Sequence, residues 1–591
     1  MVTVILAEKP SQKKDYVNAF KTSKNKSGYS IVEDNELIQD DEIYITSGFG
    51  HLIELEEPSH YDSKFKKWNL EDLPIIPKEF EYKVTEDAGI KKQFKIVKSL
   101  IDKADTICIA TDIDREGELI ARLIISKCNP KKTAKYKRLV INSTEKEVVR
   151  QGFKDLQNAD DRYYSYIEAL TRQQSDWLIG INLTRYYTSK INDKSVYSVG
   201  RVQTATLSLV KDRCDKIDNF KPESYYVLTA NNENYGTFKN NDKFNKEELK
   251  EFLQKHKIAR NVKGTITNVE TKTKNNSSPN LFNLSDLQQK ANKELKISPT
   301  ESLEIIQKLY ENKYVTYPRT SCNYITDSEF DYLKSNIENY SKYLNVEHLE
   351  FSNLEPRKKY VNSEKVEEHY AIIPTKTIPN KDKLSEKEQW FYDSIVKQTL
   401  GMFMEDYSYE ETTVSLDINE VEFYQKAKVI NKIGFKELVT DKEEKSNVIP
   451  NVEKGEHLEL EIEPVVKTTQ PPKHFTEGTL LKAMINAGNS DSIEDDEDRE
   501  TLKEVEGIGT EATRANTIET LFNQKYIEKK KGKIFITDKG NRLCEAVNGT
   551  PLRSPKMTAE WEKYLKKIGK QEGKKDIFMK NIENLITKII S

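Results

Sequence analysis

Cysteine is sparse. There are 5 in 591 residues, at Cys108, Cys128, Cys214, Cys322 and Cys544, far apart and with no CxxC pair. That spacing argues against a zinc ribbon and a disulfide scaffold and suits a reducing cytoplasm. Long apolar runs are missing as well: stretches such as Val2 to Ala7 fall far short of a membrane span, which needs roughly 18 residues. The opening MVTVILAEKP has no basic n-region, so it reads as a first buried strand rather than a secretory leader. No sign of charge dominates, with 94 Lys+Arg against 97 Asp+Glu and a net charge of -3. A nucleic-acid surface would have to be a local groove on a mildly acidic body. No GxxxxGK[ST] loop is present. Internal repeats are absent.

What is present is enough chain for several cores, at roughly 100–200 residues per domain. Residues 1–150 alternate short β-rich runs with helical patterns. Val2–Ala7 precedes a helix-like Ser11–Lys21, and Thr106–Ala110 precedes Gly117–Ser126, which predicts a parallel α/β domain. Residues 155–215 read as long helices, with Ile167, Leu170, Leu178 and Ile181 at helical spacing. The period changes to two between Tyr225 and about Thr273, and again over 407–465, as in Thr412–Leu416 and His457–Ile462. Two β stretches flanking a helical block at 281–404 predict one β domain interrupted by a helical insertion.

The insertion is well punctuated. Ser298-Pro299-Thr300-Glu301 predicts a capping-box helix start with Pro at the first helical position. Leu303, Ile306, Leu309 and Tyr310 follow as an apolar stripe. Near the C-terminus, Thr510–Phe522 reads as a helix leading into a basic-tipped hairpin at Tyr526–Ile536, the sequence pattern of a winged helix. The acidic run Asp491–Glu500 reads as a solvated loop.

Two local patterns carry chemistry. In Ile109-Ala110-Thr111-Asp112-Ile113-Asp114-Arg115-Glu116-Gly117-Glu118 an apolar run ends and carboxylates follow at Asp112, Asp114 and Glu116. Carboxylates at the C-terminal edge of a parallel sheet make an open, oxygen-rich site suited to Mg²⁺. Glu8 ends the first strand in the same way and joins the cluster if the two strands are neighbours. The pairing resembles the Toprim domain of topoisomerases, bacterial primases and certain nucleases. The second pattern is Val315-Thr316-Tyr317-Pro318-Arg319-Thr320. A phenol becomes a nucleophile only where positive charge stabilises the phenolate and the transition state. Arg319 could grip a phosphate, and Pro318 holds Tyr317 extended. The plainer alternative is one more half-buried strand tyrosine among 30.

The company decides. Glu8-Lys9-Pro10-Ser11, the Asp112–Glu118 stretch, Ser198-Val199-Gly200-Arg201-Val202-Gln203-Thr204, Thr316–Thr320, Glu368-His369-Tyr370-Ala371-Ile372-Ile373-Pro374-Thr375 and Gly507–Ala515 stand in order and at sensible spacing from about residue 2 to about 565. Together they resemble the type IA DNA topoisomerases, nearest to the topoisomerase III branch.

The resemblance implies a Toprim α/β domain over 1–152. It implies a split helical domain over 153–215 and 470–591 with a winged-helix-like part and a single-strand groove. A β arch over 216–280 and 405–469 and a tyrosine-bearing domain over 281–404 complete a gated ring. It further implies that Tyr317 attacks one DNA strand to form a 5′-phosphotyrosyl link. Lys9 and Arg319 would stabilise the scissile phosphate, with Glu8 as general acid and base and His369 supporting the phosphate. Mg²⁺ would sit at Glu8, Asp112 and Asp114, with Glu116 nearby. DNA contacts would fall to His51, Arg172, Asp176, Arg185, Arg319 and the loop and helix start Ser198, Val199, Gly200, Arg201, Val202 and Gln203. A surface salt bridge is the alternative for Arg172 and Asp176, which are four apart; Trp177 reads as core. Two departures stand out, Ala205 where the family usually has proline and Tyr370 where histidine is commoner, and no tetracysteine tail appears.

The implied activity is ATP-independent relaxation of negative supercoils, decatenation, or both. The expected setting is a cytoplasmic, bacterial-type monomer acting on single-stranded segments at a nucleoid or plasmid, with a helicase as a candidate partner and no membrane. A Toprim-containing primase or nuclease would use Glu8, Asp112 and Asp114 but leave Tyr317 idle. A catalytically silent DNA scaffold would need none of these residues.

Overall fold

The structure is a computed structural model describing residues 1–34, 36–141, 144–366, 369–439, 445–450, 452–487 and 507–591. The acidic run Asp491–Glu500 and Glu368 of the histidine motif lie outside the described residues.

The first strand, Val2–Ala7, sits inside a seven-stranded sheet. It pairs in parallel with Glu42–Ser47 on one side and with Thr106–Ala110 on the other, and the latter pairs in parallel with Lys135–Arg138. Alternation along the strands splits the apolar side chains between two faces. Val4, Leu6, Ile107 and Ile109 pack under the helices Ala88–Ile101 and Arg115–Ser126. Ile5, Ala7, Cys108 and Ala110 pack under Pro10–Ala19 and Lys146–Lys154. The register that matters is Ala7 opposite Ala110. It makes Glu8 and the Thr111-Asp112 step leave the sheet side by side.

A 29-residue helix, Tyr163–Ile191, and the helix Arg201–Asp218 share one apolar core with C-terminal elements far away in sequence. These are Glu477–Ile485, Glu511–Asn523, the hairpin Ile527–Lys530 with Lys533–Ile536, and the helices Asp538–Ala546, Pro555–Gly569 and Lys575–Ile590.

The two β stretches do more than arch. Ser224–Asn232, Gly236–Lys239, Val421–Lys432, Tyr407–Ile418, Asn261–Asn276 and His457–Thr468 close, in that order, into a barrel. Leu228, Phe238, Ile266, Leu416, Phe423 and Leu460 are among the residues of its core. Closure removes the exposed edges an open arch would leave.

The helical insertion has its own core, built from Leu284–Glu294, Pro299–Glu311 and Glu386–Gly401 among others, and no residue of residues 1–152 belongs to it. Ser298 caps the second of these helices by accepting from the Glu301 amide at 3.1 Å. The expected capping box is only half made, because the Glu301 carboxylate turns to Lys387. The segment around Tyr317 is irregular rather than a strand. It is tied to residues 371–375 by Thr316 N to Ile373 O at 3.0 Å, by Ile373 N to Thr316 Oγ1 at 3.0 Å and by the Val315–Pro374 bridge. Among the described residues no helix is long and apolar enough to cross a membrane, and no disulfide links the five cysteines.

Candidate active site

The site forms where the C-terminal edge of the seven-stranded sheet meets the helical insertion. Asp112 is its hub. Its Oδ2 accepts from the Tyr317 hydroxyl at 3.1 Å and lies 3.5 Å from the Lys9 ammonium, which also contacts Glu8 Oε1 at 2.9 Å. The Asp112 amide faces Glu8 Oε2 at 3.4 Å. Gln12, one turn into the helix after Glu8, stitches the two strand ends together: it accepts from the Glu8 amide at 3.1 Å and donates to Asp112 Oδ1. Asp114 caps the helix Arg115–Ser126, accepting from the Gly117 amide at 2.8 Å. A Cβ at Gly117 would come within 2.1 Å of the Asp112 carbonyl oxygen, so only glycine permits this fold-back.

Burial and crowding set the protonation states. The Glu8 carboxyl is pushed up to about 7 by desolvation and by Asp112, which together outweigh Lys9. Asp114 rises for the same two reasons. Tyr317 is 6% exposed, and burial followed by Asp112 and Asp114 holds its phenol far above the ordinary range. The His369 ring lies 4.3 Å from the Tyr317 ring, and Tyr310 meets Tyr317 edge-on at 5.5 Å. Burial depresses His369 to about 4, and both of its nitrogens lack a hydrogen-bond partner among the described residues. A buried imidazole left unbonded is costly unless something else bonds it. Arg319 is exposed at the rim and has no ion-pair or hydrogen-bond partner among the described residues.

The remaining sequence candidates divide. His51 Nε2 and Glu116 Oε1 meet at 2.9 Å, so the Glu116 carboxylate is engaged with the histidine. Arg172 lies 3.8 Å from Asp176 and 3.9 Å from Glu562. Arg201 is not a surface cation. It is 2% exposed, with its fork on Asp176 at 3.3 Å, Glu562 at 2.8 Å and the Thr558 carbonyl at 3.3 Å. Arg185 is also internal, donating to the Phe65 carbonyl at 2.8 Å. Val199 is buried, and its amide donates to Thr184 at 2.9 Å. The Ser198 carbonyl accepts from Tyr526 at 3.1 Å and from the partly buried Gln203 at 3.5 Å, while the Val202 carbonyl accepts from Thr206 at 2.8 Å. Gly200 caps the helix Arg201–Asp218 in extended conformation, and a Cβ there would make only ordinary contact with Gln203. Trp177 is partly buried, edge-on to Tyr61 and Phe80.

Sequence reasoning missed three supports. Arg138 is fully buried, pairs with Glu118 at 2.5 Å and donates to the carbonyls of Ile109, Thr111, Leu139 and Asp112, bracing the acidic loop from below. Arg115, inside the acidic motif itself, pairs with Glu168 and reaches Glu562 at 3.0 Å. Glu562 is held well below the usual carboxylate range because Arg115, Arg201 and Arg172 together outweigh its burial. Arg115 was legible as a charge within a motif; Glu562 carried no local signal.

A doubly covered α/β sheet with a carboxylate edge, closed by a tyrosine from a separate helical unit, defines a Toprim enzyme with a tyrosine poised at its acidic edge. A family model described as Toprim domain matches residues 3–144, and one described as DNA topoisomerase matches residues 160–580. The chain is 38% identical over 600 residues to DNA topoisomerase 3 of Staphylococcus epidermidis, covering 100% of this chain and 82% of the relative. It is 38% identical over 605 residues to the Staphylococcus aureus DNA topoisomerase 3, with the same coverage. Full-length topoisomerase I from Thermotoga maritima superposes with a TM-score of 0.71 at 24% identity, over 100% of this chain and 90% of that one. The chain belongs to the type IA DNA topoisomerases. It is a DNA-binding isomerase similar to topoisomerase 3, and the matches lend no support to a primase or nuclease.

Proposed function

We propose that Tyr317 is the nucleophile and that the contacts around Asp112 are the resting state of a single-strand breaking and rejoining site. One observation carries this: two residues 205 apart in sequence meet at 3.1 Å, the phenol of one domain on the central carboxylate of another. The hydrogen bond gives the phenolic proton an acceptor, Asp112 Oδ2. As the phenolic oxygen bonds to phosphorus, the bond to the 3′-oxygen breaks, and that oxygen takes a proton from Glu8. A carboxyl raised to about 7 holds such a proton near neutrality. Rejoining reverses each transfer. The phosphotyrosyl ester retains the energy of the broken backbone bond, so no nucleotide is consumed. Lys9 and Arg319 would stabilise charge on the phosphate from the sheet side and the rim. His369, neutral and beside the tyrosine ring, would supply a hydrogen-bonding nitrogen to the phosphate.

Glu8, Asp112 and Asp114 fit Mg²⁺. Their oxygens are hard donors, and burial followed by the neighbouring Asp112 carboxylate raises both Glu8 and Asp114. Among the described residues no group of three such side chains is already arranged to hold an ion, so water and phosphate would have to complete the shell of Mg²⁺. When bound, the ion supplies charge neutralisation at the broken ends. Glu116 would act through His51 at the rim.

The substrate we infer is the single-stranded part of under-wound or intertwined DNA, with relaxation of negative supercoils, decatenation, or both as the outcome. We further infer a monomer in a bacterial cytoplasm, at the nucleoid or on plasmids, with a helicase as candidate partner. The test is relaxation of a negatively supercoiled plasmid with Mg²⁺ and no ATP, with denaturant trapping of covalent DNA. Wild type should relax stepwise and leave a 5′-linked adduct, and Tyr317→Phe should do neither. Relaxation persisting in Tyr317→Phe would sink the assignment.

A further inference from the structure

Two strand ends meet at the acidic edge, and one neutral side chain spans them. Val2–Ala7 runs out into Glu8, and Thr106–Ala110 runs out into Thr111-Asp112. The helix Pro10–Ala19 follows Glu8 at once, with proline at its first position. Gln12 and Tyr16 stand one turn apart on that helix, and both are buried. Both reach the second strand end. The Tyr16 hydroxyl donates to the Ala110 carbonyl at 2.9 Å, and Gln12 Nε2 donates to Asp112 Oδ1.

The neighbours of Gln12 let its amide lie only one way round. The Glu8 N–H can only donate, and it does so to Gln12 Oε1 at 3.1 Å. An ionised Asp112 can only accept, so Nε2 must face it. Glutamine meets both demands without charge; methionine meets neither, and an ionised glutamate only accepts. The consequence falls on the oxygen that Tyr317 meets. The last torsion of a carboxylate is soft and two-fold, so nothing within Asp112 itself fixes its plane. With Oδ1 held by Gln12, Oδ2 is left for the Tyr317 hydroxyl at 3.1 Å and the Lys9 ammonium at 3.5 Å. Lys9 is a poor substitute for that hold. It lies nearer Glu8, at 2.9 Å, and a compact ammonium on a flexible stem can follow either oxygen.

We propose that Gln12 is a positioning residue for strand breakage, locking the Asp112 carboxylate so that Oδ2 faces the attacking phenol while adding no charge to the cluster. It acts through Asp112 rather than on the DNA. The inference rests on the topoisomerase reading given above, and the experiment separates the two.

Single-turnover cleavage of a labelled oligodeoxynucleotide is followed in the full-length protein with Mg²⁺, and affinity for the same oligonucleotide is measured in a Tyr317→Phe background. Gln12→Met should slow adduct formation by about 10- to 100-fold, the scale of a reacting group held about 1 Å out of place. Its affinity should stay within twofold of the parent. Gln12→Glu keeps the acceptor for the Glu8 amide and loses the donor to Asp112, so at pH 9 it should be slowed at least as much. As pH falls to 6 the introduced carboxyl, facing Asp112 and Glu8 with Lys9 beside them, takes up a proton and can donate as glutamine does. Its rate relative to wild type should therefore climb, while the Gln12→Met ratio stays level. In an Asp112→Ala background Gln12→Met should cost nothing further, since the two changes break one contact. Gln12→Met within twofold of wild type, or its full penalty persisting beside Asp112→Ala, overturns the positioning role and leaves the topoisomerase reading standing. Affinity lost in step with cleavage does the same. Should Gln12→Met fail to fold, Gln12→Glu decides, and a ratio unchanged between pH 6 and 9 overturns the role. No adduct from wild type overturns both readings.

Discussion

Arg115 and Glu562 lie 447 residues apart in the chain and meet at 3.0 Å. Through that contact the acidic loop, which ends at Asp114, is held to the C-terminal helix Pro555–Gly569, and the same carboxylate holds Arg201 at 2.8 Å. The acidic loop and the start of the helix Arg201–Asp218 therefore share one buried anchor.

Glu562→Gln should be severe for an isosteric change. It leaves buried cations without their counter-charge, a loss of about 3–5 kcal/mol when one partner of a buried pair is removed. Hydrogen exchange should show loosening of residues 555–569 and of the loop 112–117 together, and adduct formation should fall with them. Arg115→Met combined with Glu562→Gln should cost less than the sum of the two single changes. Strict additivity would show that the two residues are not coupled.

Glu8 predicts a pH dependence with a definite sign. Its folded carboxyl sits at about 7 against an ordinary 4.5. Between those values the folded chain holds a proton that the unfolded chain has released, so stability falls as pH rises across that window and levels off above it. Thermal midpoints measured from pH 5 to 8 should show this slope, and Glu8→Gln should flatten it. Mg²⁺ should raise the midpoint more at pH 8, where Glu8 is ionised, than at pH 5. Strand cleavage, which in the proposed mechanism draws a proton from Glu8, should decline as pH rises through about 7.

His369 should show the opposite insensitivity. Depressed to about 4, it is neutral throughout the working range. His369→Ala should lower cleavage by about 10²-fold, the scale of one lost transition-state hydrogen bond, and by the same factor at pH 6 and pH 8. A pH-dependent ratio between the two enzymes would show that the imidazole titrates during the reaction.

Gly117→Ala places a methyl group 2.1 Å from the Asp112 carbonyl oxygen. The loop must shift, at a cost of about 1–3 kcal/mol typical of overpacking. The mutant should fold, bind single-stranded DNA as wild type does, and cleave it at least tenfold more slowly, because the displacement falls on Asp112 itself.

The sequence made some of this legible for physical reasons. Glu8 and Asp112 each end an apolar run, and parallel pairing of Ala7 with Ala110 turns two separate run ends into one cluster. Tyr317 was marked only by its motif, since no periodicity separates it from the other tyrosines. Arg201 and Arg185 were marked by the motif and its helical stretch, without their partners. Those partners, Glu562 and the Phe65 carbonyl, lie too far along the chain to be read beside them. Barrel closure escaped for the same reason: Asn261–Asn276 pairs with Tyr407–Ile418 across the whole intervening insertion.

The tyrosine-bearing insertion keeps its apolar core to itself, and two polar contacts join it to the sheet edge, Tyr317 on Asp112 and Lys313 on Asp15 at 2.6 Å, beside Tyr16, Ile113 and Ile141. Separating the two bodies leaves both apolar cores intact. Such a latch is sensitive to ionic strength and to whatever competes for Asp112. A phosphate and a divalent cation arriving together are such competitors, so a bound substrate would free Tyr317 for the attack proposed above.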